Sequence, residues 1–85
     1  YNPDDARTKA GRGACYVEKK EMALALADLS EAVGLEPNYA FALRNRGRAY
    51  AALGSRTAAL ADFTAAIAAS PAWALPYQDR AAVYQ

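Results

Sequence analysis

Arg44 and Arg48 stand four residues apart, with Phe41 and Asn45 beside them. On a helix that spacing puts both guanidiniums on one face. A guanidinium grips a carboxylate through two parallel hydrogen bonds, so the chemistry this cluster suits is recognition of an acidic group on an extended peptide. The plainer reading of the same residues is a solvated basic face. Other chemistry finds little to work with. The chain has no histidine, which removes the commonest general base and the commonest transition-metal ligand. The carboxylates Asp4, Asp5, Glu18 and Glu21 lack the spacing of a calcium loop. Asp4 and Asp5, placed just ahead of a helix, suit the positive end of its dipole instead. No glycine-rich phosphate loop occurs. The chain therefore reads as a non-enzyme with neither cofactor nor metal.

The elements that must carry these residues announce themselves by a period. Proline recurs at Pro3, Pro37 and Pro71, two steps of 34 residues; Ala6, Ala40 and Ala74 keep that step, as do Tyr16, Tyr50 and Tyr84. A period of this length marks stacked supersecondary units, none of which can bury its apolar face alone. Within each period apolar and small residues fall at three- and four-residue spacing, as amphipathic helices require. Five helices are expected, near Ala6 to Lys19, Met22 to Leu35, Ala40 to Leu53, Arg56 to Ala69, and Ala74 to the end of the chain. Pro37 and Pro71 close the second and fourth, because proline removes a donor and pushes its predecessor out of the helical region. Gly54 suits a left-handed stop and Ser55 the next N-cap. The matching turn Lys19-Lys20-Glu21 has no glycine and is expected to be less sharply defined.

At 85 residues the chain holds at most one compact unit. Its richness in alanine and leucine favours an all-α fold over disorder. Net charge is +1 but uneven: residues 1 to 37 sum to −2 and residues 38 to 71 to +3. A nucleic-acid binder would normally carry a continuous basic stripe, so RNA is the weaker partner class. The apolar runs are too short to span a bilayer, and no secretory leader opens the chain. The single cysteine, Cys15, forms no internal disulfide, which is compatible with a reducing cytosol. Its counterparts one and two periods on are Ala49 and Val83, so a packed thiol is expected rather than a reactive one.

Overlaying the units pairs Gly13 with Gly47, Ala25 with Ala59 and Ala32 with Ala66, where small residues let antiparallel helices approach closely. Leu29 pairs with Phe63 and Val33 with Ile67, which fill the space between neighbours. Arg12 and Arg46 recur in step with Asp28 and Asp62, which suggests an ion pair across the two helices of each unit.

The order Leu43, Arg46-Gly47, Tyr50, Ala59, Phe63, Pro71 resembles the tetratricopeptide repeat, a helix-turn-helix unit of the same 34-residue period. The first unit repeats it as Lys9, Arg12-Gly13, Tyr16, Ala25, Leu29, Pro37, and the last as Tyr77, Arg80-Ala81, Tyr84. The arginines depart from the family's simplest pattern, which is apolar there. Lys9 departs from it too, and with Gly11 and Gly13 in the first helix it makes that helix the softest expected. The resemblance implies an α-α superhelix of five antiparallel helices. Residues 1–5 read as the tail of a preceding repeat, 6–39 as repeat 1, 40–73 as repeat 2 and 74–85 as the first helix of a truncated repeat 3. A chain that opens on Tyr1 in this way is expected to be an excised fragment.

It further implies that the first helix of each unit lines a concave, partner-binding side. That side would present Arg7, Ala10, Ala14 and Val17; Phe41, Arg44, Asn45, Arg48 and Ala52; and Leu75, Gln78, Asp79 and Ala82. The expected role is a scaffold for a protein or an extended, possibly acidic peptide, with no nucleic acid and no membrane. Some family members clamp the C-terminal carboxylates of heat-shock chaperones with Lys, Asn, Asn, Lys and Arg. At the matching positions stand Ala10, Ala14, Asn45, Leu75 and Asp79, of which only Asn45 agrees, and this argues against that activity. An alternative role is self-association through the last helix, with Trp73, Leu75, Tyr77, Ala81 and Tyr84 at the contact, because exposed apolar surface usually finds a partner.

Overall fold

A computed structural model describes residues 2 to 84, apart from the side chain of Pro3. Its five helices are α1 (Pro3–Glu18), α2 (Met22–Leu35), α3 (Ala40–Ala52), α4 (Arg56–Ala69) and α5 (Ala74–Tyr84). Among the described residues there is no strand. α1 begins three residues before the expected start. Asn2 takes extended backbone and its Oδ1 accepts from the amide of Asp4, Pro3 occupies the first turn, and Asp4 and Asp5 follow there. These are the ingredients of a helix start: a side-chain cap, a residue with no N–H to lose, and carboxylates at the positive end. Tyr1 and Gln85, at the two ends of the expected organisation, lie outside the described residues.

α2 and α4 stop at Leu35 and Ala69, two residues before Pro37 and Pro71. The fourth proline, Pro76, lies in the first turn of α5, where its absent N–H would have had no intrahelical partner. Gly54 takes φ +80° as expected of a left-handed stop, and Ser55 occupies the N-cap of α4 without a side-chain bond. The first turn is a correction to the sequence reading. Lys20, one period before Gly54, takes φ +64°. Glu21 donates its amide to Tyr16 O at 2.9 Å just as Ser55 does to Tyr50 O at 2.9 Å. The two turns are equally well formed, because the helix-ending hydrogen bonds hold Lys20 in a backbone region that only glycine enters freely.

α1 packs on α2 and α3 on α4; α2 also touches α3, α4 touches α5, and the first helices α1, α3 and α5 touch in series. α3 alone meets all four others. The core is made mainly of alanine: Ala10, Ala25, Ala32, Ala42, Ala49, Ala59 and Ala66 are fully buried. Its largest fully buried side chains are Phe63 and Leu29, one contributed by the second helix of each pair. Each fits against a glycine. A Cβ built on Gly13 would lie 2.5 Å from Leu29 Cγ, and one on Gly47 would lie 2.6 Å from Phe63 Cε1. Nothing stands within 4 Å of the same position on Gly11.

The ion pairs read from the sequence are present. Arg12 Nε and Nη2 donate to Asp28 at 2.6 and 2.8 Å, and Arg46 Nε and Nη2 donate to Asp62, both at 2.8 Å. The two carboxylates are buried beside Leu29 and Phe63, whereas Arg46 is mostly covered and Arg12 is half exposed. The hydrogen-bonded Arg12 guanidinium holds the Asp28 carboxyl below its ordinary pKa, against the opposing pull of burial. Bonding to Asp62 likewise raises Arg46. Each aspartate is thus a charge that its own unit's first helix neutralises.

Two outcomes are expected. Gly11→Ala raises stability by up to about 1 kcal/mol through helix propensity. Gly13→Ala lowers it, because overpacking of about 1–3 kcal/mol exceeds the same gain; paired thermal melts read the opposite signs. Arg46→Ala strands the Asp62 carboxylate and costs about 3 kcal/mol, measured by urea denaturation, and Asp62→Ala added to it restores most of the loss.

Candidate partner-binding face

The stacking of α1, α3 and α5 side by side decides which side chains share a surface. α3 is flanked by the other two, so its polar residues meet theirs. Arg48 Nη2 donates to Glu18 of α1 at 2.9 Å, and its Nη1 donates to Asn45 Oδ1 at 3.0 Å. Arg44 donates from Nε and Nη2 to the Asp79 carboxylate of α5, and its guanidinium lies over the ring of Trp73, 5.8 Å from the centroid. A face that the sequence offers as a pair of guanidiniums is therefore two guanidiniums flanked by carboxylates, Glu18, Arg48, Arg44 and Asp79, running across three helices.

The environments of the two arginines differ. Arg44 and Asp79 expose 16% and 21% of their side chains, whereas Arg48 and Glu18 expose 31% and 68%. The inner pair is braced by an aromatic ring and by two hydrogen bonds. In the outer pair Glu18 lies in solvent while Arg48 is partly covered.

Of the other expected surface residues, Arg7 and Gln78 are exposed. Phe41 is half-buried, its ring tilted against Tyr39 at 6.0 Å. Asn45 is 1% exposed. Its amide nitrogen donates to Phe41 O at 2.9 Å while its oxygen receives Arg48, so both ends are engaged and Asn45 positions Arg48 from below. Ala10 and Val17 are core residues, because α3 packs against that side of α1. Cys15 is exposed, a correction to the packed thiol expected from its counterpart Ala49. Ala49 is buried because α3 has helices on both sides, and no described element covers the same position of α1. Among the residues expected at a self-association surface, Leu75, Tyr77, Ala81 and Tyr84 are exposed. Trp73 is half-buried against Arg44.

Two grooves lie between successive first helices, and the sequence reading did not find them. One, of about 550 Å³, is lined by Val17, Glu18, Lys20, Met22, Arg48 and Ala52. The other, of about 510 Å³, is lined by Arg48, Ala51, Gly54, Arg56, Phe63, Asp79, Ala82 and Val83. They are the same groove one period apart: Val17, Lys20, Met22 and Arg48 of the first become Ala51, Gly54, Arg56 and Ala82 of the second. Arg48 belongs to both. In the second, Arg56 stands in the lining and donates to Val83 O at 2.6 Å. The signal was present in the 34-residue register, but nothing in it says that a groove opens beside these turns.

Among the described residues no three metal-ligating side chains gather, and no helix is long and apolar enough to cross a membrane. No protein-family profile and no curated protein matches the chain. Solved structures do, 28 chains in all. One is described as the first TPR of Spaghetti (RPAP3) bound to HSP90 peptide SRMEEVD. It superposes with a TM-score of 0.90 over 96% of this chain at 21% identity. The chain spans 65% of that structure's length.

The exposed pair is expected to contribute little and the braced one more. Arg48→Ala shifts the urea midpoint by the equivalent of under about 1 kcal/mol, while Arg44→Ala costs about 1.5 kcal/mol or more. The fold is that of a tetratricopeptide-repeat array, an all-α helical solenoid.

Proposed function

We propose that this chain is a protein-interaction scaffold that binds an extended peptide along the face of α1, α3 and α5, with Arg48 receiving an acidic side chain or terminus of the ligand. The observation that carries the reading is the state of Arg48. It already holds a carboxylate, that of Glu18, in a solvent-exposed contact at 2.9 Å. It stands on a buried amide that orients it and borders both grooves. An exposed ion pair is worth about 0–1 kcal/mol, so a ligand carboxylate exchanges for Glu18 at little cost. Neighbouring ligand side chains then enter the grooves on either side.

Arg44 has a different part. Its carboxylate partner Asp79 is less exposed and its ring partner fixes it, so it ties α5 to α3 and sets the width of the second groove. Phe41, Arg7 and Gln78 extend the surface to either side. The SRMEEVD peptide bound by the structurally similar protein is itself acidic, which agrees with the class of ligand. Four of the five residues at the chaperone-clamp positions differ here, and the one that agrees, Asn45, is buried, so the anionic contact is assigned to Arg48.

Titration of acidic and neutral extended peptides, followed by fluorescence anisotropy, tests this. Acidic peptides are expected to bind more tightly than neutral ones, with the difference abolished in Arg48→Ala and enlarged in Glu18→Gln, which removes the internal competitor. Equal affinities for both peptide classes in the unmodified chain would sink the reading.

A further inference from the structure

Three arginines keep the 34-residue step: Arg12, Arg46 and Arg80. The first two meet a buried aspartate 16 residues on, in the second helix of their own pair. Arg80 has no carboxylate among the described residues. It reaches only Thr64 Oγ1, at 3.4 Å, and stands over the ring of Tyr77 at 5.9 Å. The surface around it is what the earlier units cover. Tyr77, Ala81 and Tyr84 correspond to Leu43, Gly47 and Tyr50, and in that unit α4 lies on this side. There Phe63 seats on Gly47, and Arg46 crosses the Tyr50 ring while holding Asp62. On α5 the corresponding Tyr77 and Tyr84 are 41% and 67% exposed.

We propose that this face of α5 is a docking site for an amphipathic helix carrying an aspartate followed by a small residue. The aspartate is specified by Arg80, a guanidinium presented in the register that the other two units fill with a carboxylate. The small residue is specified by Ala81. Where Gly13 and Gly47 admit Leu29 and Phe63, a Cβ would lie within 2.6 Å of those side chains. Ala81 carries that Cβ, so the helix on α5 needs a smaller group after its aspartate. A second copy of this chain docking α5 on α5 is disfavoured on the same ground. It would set Arg80 against Arg80, with Asp79 already committed to Arg44.

The test uses the full chain and a peptide copied from Ser55 to Ser70, which carries Asp62, with Phe63→Ala introduced in the peptide. NMR shifts of the labelled chain are expected at Tyr77, Arg80, Ala81 and Tyr84. Affinity should fall at least tenfold for the peptide with Asp62→Asn, for the peptide that keeps Phe63, and for the chain with Arg80→Gln. Because an isolated helix of this length is marginal in water, the same segment is also appended after Gln85 through a Leu-Gly turn. The appended aspartate form is then expected to melt above the asparagine form, and that difference to vanish with Arg80→Gln. Equal melting of the two appended forms would overturn the proposal. So would a concentration-dependent dimer of the unmodified chain that Tyr84→Asp dissolves, since a second copy would then own the face.

Discussion

The structure depends on how near two helices of a pair can come. At Gly13 and Gly47 the backbone of the first helix touches the largest side chain of the second, and even a methyl group at either place would overlap it. That distance allows a core built mainly of alanines to be fully buried. It also brings Arg12 and Arg46 within bidentate reach of carboxylates that are themselves buried. A wider gap would leave Leu29 and Phe63 half seated and the aspartates hydrated. Glycine, large residue and ion pair therefore form one arrangement, used twice in the chain.

The polar face follows from the same packing one level up. Pairing within a unit is close and combines an apolar seam with a bidentate ion pair, whereas contact between the first helices of successive units is looser. Glu18 with Arg48 and Arg44 with Asp79 bridge separate units, and Arg48 lines both grooves, with Glu18 in one and Asp79 in the other. Stability is concentrated inside the pairs. The proposed ligand site lies between them, where exposed charges exchange partners at small cost.

What the sequence made legible is what repeats. Helix positions, both proline stops and the Arg–Asp pairs follow from residues that return every 34 positions, because a contact inside one unit is fixed by local spacing along two helices. The Arg48–Glu18 and Arg44–Asp79 pairs were not legible. They join different units at separations set by the superhelical twist, and the register of a single unit does not contain that twist. Asn45 was read as surface and is buried, because nothing in its type distinguishes an amide that meets a ligand from one that props up a neighbouring arginine. Lys20 was read as loosening its turn, yet it follows Gly54 into left-handed backbone. The hydrogen-bonding demand of the helix end outweighed the preference of the residue.

α3 is the one helix that touches every other. No contact links α1 or α2 to α4 or α5, so the two ends of the molecule are connected in series through its thirteen residues. In mechanical terms α3 is an axle: a pull or twist applied at one end passes along it before reaching the other, and the curvature of the whole is adjusted at its two flanks alone.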